Sequence, residues 1–349
     1  MSESEKIPVA ILGSTGMVGQ RFLSLLDDHP RFRVTQVLAS SRSAGMRYAE
    51  ATRWGLPTEM PAWARDLVVG DANALPDEGR VRLAFSALDA SVAREVEATY
   101  AEAGIFVVSN ASAYRMDPEV PLVVPEVNAD HLDLVRSQRF GQGGIVCNPN
   151  CSTIGLVLAL APLHRAFGVE EVAVTTLQAA SGAGYPGVPS LDLIDNVVPF
   201  ISGEEEKLAL EPAKILGTLE GDARGIAAAQ IVVSPQCFRV PVIDGHTLSV
   251  SVRLAGDPGR DEVLRAWQDA AQAVPLRYTS AADRPQPRLD RDFSGGMGIT
   301  IGRLRPCPVL GFRFVALSHN TVRGAAGGAI ATAEAVLARG LLQGGSEGR

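Results

Sequence analysis

Residues 7–12, IPVAIL, lead straight into GSTGMVG, and that turn leads into MVGQRFLSLLDD, whose Met17, Val18, Phe22, Leu25 and Leu26 recur at helical spacing. Strand, glycine turn and helix in this order let backbone N–H groups and the positive helix end approach a pyrophosphate with no side chain between. The spacing of Gly13, Gly16 and Gly19 is G-x-x-G-x-x-G, not the commoner G-x-G-x-x-G. A turn that merely closes a βα unit therefore stays in play as the plainer reading.

The next strand pattern, 33–39 (RVTQVLA), ends where an NAD-binding protein places a carboxylate for the ribose hydroxyls. No acid stands there. Ser40, Ser41, Arg42 and Ser43 follow instead, three hydroxyls and a guanidinium, which suit a 2′-phosphate and favour NADP over NAD; the alternative is an ordinary polar loop. Strand patterns at 81–86 and 105–109, with a helix pattern at 91–103 between them, continue a parallel β-α-β series. A helix pattern at 322–342 carries Ala325, Ala326, Ile330, Ala333, Val336 and Leu337 on one face and is free to return to this first domain.

Residues 145–161, IVCNPNCSTIGLVLALA, read as a short strand, a break, and an apolar helix starting near Cys151. A thiol at a helix N-terminus is favoured as thiolate, the form that attacks carbonyls. Cys147, Cys237 and Cys307 read as small buried hydrophobes, and four scattered cysteines in a long chain do not make a disulfide framework. From 169 onward the pattern alternates, most clearly at 246–254, with similar runs at 172–178, 299–304 and 312–317: one broad mixed sheet. An apolar open face on such a sheet would make a subunit interface, so at least a dimer is expected. His246, seven residues after Arg239 at a glycine turn into a strand, is the candidate acid/base, while His29, His131, His164 and His319 read as structural.

The chain has 349 residues, enough for about two domains. Its 32 Lys and Arg against 39 Asp and Glu, net -7, argue against a nucleic-acid or anionic-membrane surface. The longest apolar run, 154–161, is too short for a membrane span, and the polar start MSESEK has no signal-peptide core behind it, so a cytoplasmic protein is expected. There is no internal repeat, no ligand cluster of metal spacing, and the tail LLQGGSEGR is expected to fray.

Seven segments, GSTGMVGQRF, ASSRSAG, SNASAYRMDPEVPLVVPEVN, NPNCST, SGAGYPGVPSLDLIDNVVPFISGEEEK, RVPVIDGHT and HNTVRGAAGGA, together resemble the aspartate-semialdehyde dehydrogenases, in particular their archaeal and fungal branch. The related N-acetylglutamyl-phosphate reductases are less similar, carrying Gly where this chain has Asn150. The resemblance implies an α/β chain with a Rossmann-type NADP-binding domain (1–150, completed by the C-terminal helix, about 321–349) and an α+β catalytic and dimerisation domain with a mixed sheet (151–320). It implies Cys151 as nucleophile, His246 as acid/base, Gln178 orienting the acyl group, Arg239 on the substrate α-carboxylate and Glu211 of EPAK on its α-amino group. Lys214, Arg115 and Asn150 would bind phosphate, and Ser14, Thr15, Gly16, Met17, Ser40, Arg42, Ser43, Ser181, Gly182 and Asn320 would join Gly13 and Gly19 around the cofactor. The implied reaction is NADPH-dependent reduction of aspartyl phosphate to aspartate semialdehyde through a cysteine thioester, without a metal. It serves biosynthesis of aspartate-family amino acids, lysine, threonine and methionine, in a homodimer or homotetramer. Phe238, Leu248 and Met46 depart from the family pattern. The first two flank substrate positions and leave open a malonyl-CoA reductase or other acyl reductase, and a silent NADP-binding regulator is the reading outside enzymes.

Overall fold

The computed structural model describes residues 6–76 and 81–342; part of the expected C-terminal helix and tail, 343–349, lies outside the described residues. Six strands form the first sheet: β1 (Ile7–Leu12), β2 (Phe32–Ala39), β3 (Gly70–Asp71), β4 (Leu83–Ser86), β5 (Phe106–Ser109) and β6 (Gly144–Cys147). All pair in parallel, in the order β3-β2-β1-β4-β5-β6. Every residue of β4, β5 and β6 is buried, as expected for a parallel sheet covered on both faces. Strand order reverses between β1 and β4, and the crevice at their carboxyl ends is where such sheets hold ligands. Gly13 closes that crevice: at φ 74° a Cβ would stand 2.5 Å from the Ala87 carbonyl oxygen, so only glycine fits.

The second sheet contains β7 (Val169–Gln178), β10 (Val232–Arg239), β11 (His246–Leu254), β12 (Leu276–Thr279), β13 (Ile299–Cys307) and β14 (Gly311–Ser318), while β8 (Thr218–Leu219) and β9 (Ile226–Ala227) make a separate two-stranded ladder. Its order, β10-β7-β11-β14-β13-β12, mixes parallel outer pairs with an antiparallel centre. The helix Cys151–Phe167, apolar on all sides, starts at the end of β6 and lies across this sheet, with Gly155 admitting Ser318 and Leu248.

The open face of that sheet is mixed, with Leu177 and Val315 beside polar residues, so it is only in part the apolar face expected for an interface. Along β11 the residues opposite the core are Thr247, Ser249, Ser251 and Arg253. Among the described residues five exposed large apolar side chains also cluster on one segment, 185–200: Tyr185, Leu191, Ile194, Val197 and Phe200.

The C-terminal helix is not uniform. Residues Val322–Ala326 form a wide turn closed by Gly324 N–H to His319 O at 3.0 Å and Ala326 N–H to Thr321 O at 3.2 Å, and a regular helix follows at Gly327–Ala338. The extra residue per turn brings the Gly324 backbone against the cysteine, where a Cβ would stand 2.7 Å from Cys151 Cβ. Beyond it, Ala326, Ala329, Ile330, Ala333 and Val336 join the Phe22 and Phe85 core of the first sheet. No described helix is long and apolar enough to cross a membrane.

Candidate active site

A cleft of ≈ 900 Å³ runs from the glycine turn to Cys151. Thr15, Gly16 and Met17 line one end beside Ser40, Ser41 and Arg42, and Ser181, Gly182 and Asn320 line the other. Arg42 is exposed and has no side-chain partner among the described residues, which leaves its guanidinium available to a phosphate. Ser14, Gly19 and Ser43, expected at the cofactor, shape the turns without lining the cleft. Ser14 is buried with its carbonyl accepting the Tyr48 hydroxyl, Gly19 abuts the Gly13 carbonyl, and Ser43 N–H closes a turn onto Ser40 O. The far wall is fixed by Asn320, whose Nδ2 donates to Ser181 Oγ at 2.8 Å while its Oδ1 accepts Gly245 N–H at 2.8 Å.

Cys151 is the first residue of its helix, and Asn150 is the N-cap, its Oδ1 accepting Ser152 N–H at 2.9 Å and Thr153 N–H at 3.4 Å. Cys151 Sγ lies 3.1 Å from His246 Nε2. On the other side of the ring, His246 Nδ1 accepts the Ala179 N–H at 3.0 Å, so Nδ1 carries no proton and the ring hydrogen sits on Nε2, facing the sulfur. Burial, reinforced by Arg239, pushes this imidazole down to about 3. Burial likewise pushes the Cys151 thiol up to about 12, with Glu204 adding to the rise and Arg115, Arg239 and Lys207 opposing it. The helix N-terminus alone therefore does not make a free thiolate: in the unliganded site desolvation outweighs it.

Arg239 spends one donor on the Ala179 carbonyl at 2.7 Å, and a Cβ at Gly182 would stand 2.8 Å from its Nη1. Burial lowers its pKa, yet a guanidinium remains charged, beside Cys151 and His246. Arg115 lines the cleft, held by Glu211 Oε1 at 2.9 Å and the Asn110 carbonyl at 2.6 Å, with its buried Nε unpartnered. Gln178 donates from Nε2 to Thr176 Oγ1 at 3.3 Å and to Glu204 Oε2 at 3.2 Å.

Arg239, His246 and Gln178 sit just behind the lining, against Gly182 and Glu204, and two further expected ligands, Glu211 and Lys214, lie outside the cleft as well. Glu211 is 1% exposed, and both of its oxygens are engaged, by Arg115 and by Asn150 N–H at 2.7 Å. Lys214 gives all three ammonium hydrogens to the carbonyls of Arg115, Asp117 and Val120, at 2.8, 2.7 and 2.7 Å, leaving none for a phosphate. The same E-x-x-K spacing occurs seven residues earlier, and it is that pair, Glu204 and Lys207, that lines the cleft. Glu204 accepts Lys207 Nζ at 3.0 Å and Asn150 Nδ2 at 3.0 and 2.9 Å. Although burial works to raise the Glu204 carboxyl, Lys207 and the amides of Asn150 and Gln178 hold it below its ordinary value. Asn150 thus acts through cap and carboxylate, and its side chain is fully engaged.

Two of the three departures from the family pattern, Phe238 and Leu248, point away from the reacting centre. Phe238 alternates with Arg239 and faces the opposite side of β10, and Leu248 is 0% exposed, packed under Gly155. Among the described residues no cluster of His, Cys, Asp and Glu could hold a metal.

Residues 8–135 match the family described as "Semialdehyde dehydrogenase, NAD binding domain", and residues 160–323 match "Semialdehyde dehydrogenase, dimerisation domain". The chain is 48% identical to the aspartate-semialdehyde dehydrogenase of Methanothermobacter thermautotrophicus, over 95% of this chain and 99% of that protein. It is 45% identical to that of Schizosaccharomyces pombe, over 96% and 99%. The crystal structure of the Candida albicans enzyme with NADP superposes with a TM-score of 0.88 at 41% identity, covering 96% of this chain and 99% of that one. Aspartate semialdehyde dehydrogenase II of Vibrio cholerae, complexed with ASA, gives 0.78 at 27% identity, covering 95% and 98%.

Proposed function

Because the chain belongs to the aspartate-semialdehyde dehydrogenase family, we propose that its cleft carries out the family reaction with Cys151 as nucleophile, Arg239 on the α-carboxylate, and Glu204, not Glu211, on the α-ammonium. The reaction is NADPH-dependent reduction of aspartyl phosphate to aspartate semialdehyde, a step of amino-acid biosynthesis. The observation that carries the residue assignment is the 3.1 Å contact of Cys151 Sγ with His246 Nε2, at the end of the same cleft that holds the glycine turn.

The thiol attacks the acyl carbon, the carbon–oxygen bond to phosphate breaks, and the sulfur's proton leaves with the phosphate as HPO₄²⁻. This balance needs no base, which matches a His246 whose acceptor nitrogen is taken by Ala179. Arg115 and Lys207 hold the phosphate, the first through the charge of a guanidinium that lines the cleft and the second through the donors Glu204 leaves unused. NADPH supplies the hydride that reduces the thioester. His246 Nε2–H then donates to the tetrahedral oxyanion, which collapses to the aldehyde and expels the Cys151 thiolate; the thiolate takes a proton from solvent, the one proton the reduction consumes, and the thiol is restored. His246 is thus a neutral hydrogen-bond donor, a change from the acid/base role implied by the family resemblance.

Arg42→Ala is expected to weaken NADP binding roughly ten- to hundredfold, the loss of a charged hydrogen bond worth about 1.5–3 kcal/mol, with NAD binding unchanged. Titration with both cofactors checks it; equal losses would make Arg42 a structural residue. Glu204→Gln should cost ~1–3 kcal/mol in kcat/KM for aspartate semialdehyde and leave oxidation of malonate semialdehyde, which has no ammonium, nearly unchanged. Steady-state kinetics on both aldehydes decide it, and a parallel loss on both would remove the ammonium assignment.

The dimerisation-domain match supports an oligomer, for which homodimer and homotetramer are the candidates, with 1–150 plus about 321–349 as cofactor domain and 151–320 as catalytic domain. The biosynthetic role and the absence of a membrane-spanning helix among the described residues support a cytoplasmic location.

A further inference from the structure

The turn after β5 brings Asn110 and Arg115 to the cleft, and it is tied from below by Glu97, a carboxyl of the helix Ala90–Glu102 with 0% exposure. Ser109 Oγ donates to Glu97 Oε1 at 2.6 Å and accepts Ala111 N–H at 3.1 Å. The Asn110 carbonyl next to it accepts Arg115 Nη2, and Asn110 Oδ1 accepts Asn148 Nδ2 at 2.9 Å, three residues before the cysteine. One hydroxyl therefore separates a buried carboxyl from the residues that carry the guanidinium and flank the nucleophile. Glu97 Oε2, Ser86 Oγ and Arg115 Nε all lack partners. A buried carboxylate with an unmet oxygen is unfavourable, and protonation converts that oxygen into a donor.

We propose that Glu97 is a positioning residue that adjusts the charge beneath the phosphate subsite: neutral, it leaves to the substrate anion the part of the Arg115 field that Glu211 does not take, and ionised, it competes with that anion, the Glu211 pair being the same in both states. The inference rests on the reading of Arg115 as a phosphate ligand. Burial pushes Glu97 up to about 7, with the Ser109 hydrogen bond and Arg115 drawing it back, so its charge changes near neutrality. The other titratable groups around it are Tyr114 after β5 and Cys147 at the end of β6, and burial raises both, keeping them neutral at such pH. Lys214, beneath the Arg115 carbonyl, is brought by burial down to about 8, a titration common to wild type and variant. Anion binding at Arg115 and protonation of Glu97 are then linked: each favours the other.

Sulfate is the probe, because its charge is constant where phosphate titrates. Its inhibition constant against phosphate, in the aldehyde-oxidising direction, is measured for wild type and Glu97→Gln from about pH 6 to about pH 8.5. The wild-type to variant ratio should be near one at the acid end and rise to about three- to tenfold at the alkaline end, the size of effect one nearby charge exerts. A ratio independent of pH would reduce Glu97 to a structural residue and overturn the proposal. Should the variant not fold, calorimetry of sulfate binding to the wild type in buffers of different ionisation enthalpy must show proton uptake near pH 7, and none would overturn it equally. If Arg115→Lys leaves sulfate inhibition unchanged, the phosphate role of Arg115 fails first, and the linkage with it.

Discussion

Cys151→Ala should abolish turnover, by a factor on the order of 10⁴ or more, while leaving NADP affinity within about twofold of wild type. The sulfur makes the only bond to the acyl group, whereas the glycine turn and Arg42 lie at the opposite end of the cleft. Stopped-flow mixing with aspartyl phosphate in the absence of NADPH should release one phosphate per site, and mass spectrometry should find the acyl group on Cys151. Near-normal rates in the alanine variant would rule out the covalent route. Because burial holds the unliganded thiol near 12, iodoacetamide at neutral pH should alkylate Cys151 slowly.

The second large effect is at His246. Removing the Nε2–H donor with His246→Leu should lower kcat about 10²–10³-fold, the usual loss for one oxyanion donor. His246→Gln, whose amide N–H can reach the same place, should recover part of that loss. The imidazole is held neutral down to about 3, so its protonation gives no acid limb in kcat/KM above about pH 5. A limb near pH 6 to 7 that vanishes in His246→Gln would restore a proton-carrying role. Nitrogen NMR of labelled histidine offers an independent check, since the Ala179 contact requires the Nε2–H tautomer throughout.

Legibility in the sequence followed distance along the chain. The glycine turn, the hydroxyl cluster after β2 and the cysteine at a helix start are each contained in about ten residues, and local backbone geometry ties them to their chemistry. The strands 246–254 and 105–109 were readable for the same reason, alternation or continuous apolarity being a property of the segment. The wide turn at Val322–Ala326 was not, because the sequence reads as helix whether four or five residues close each ring; what selects five is the Gly324 backbone meeting Cys151.

The choice between two E-x-x-K pairs shows the limit most clearly. Glu204 and Glu211 are seven residues apart on one helix, which is nearly two full turns, so both pairs share a face and no helical periodicity separates them. Depth separates them: the first turn of the helix opens on the cleft, and the last is buried under the Arg115 turn. The roles of Phe238 and Leu248 were hidden in the same way, since a neighbour in sequence to a ligand stands on the other side of a strand or beneath a helix. The sequence by itself determined which chemical groups the chain carries: a glycine turn, a loop of hydroxyls with one guanidinium, a cysteine at a helix start, an arginine and a histidine. Only the tertiary structure decided which carboxylate and lysine line the cleft and which nitrogen of His246 holds the proton. Those depend on partners brought from distant segments, and burial then sets the charge of each group.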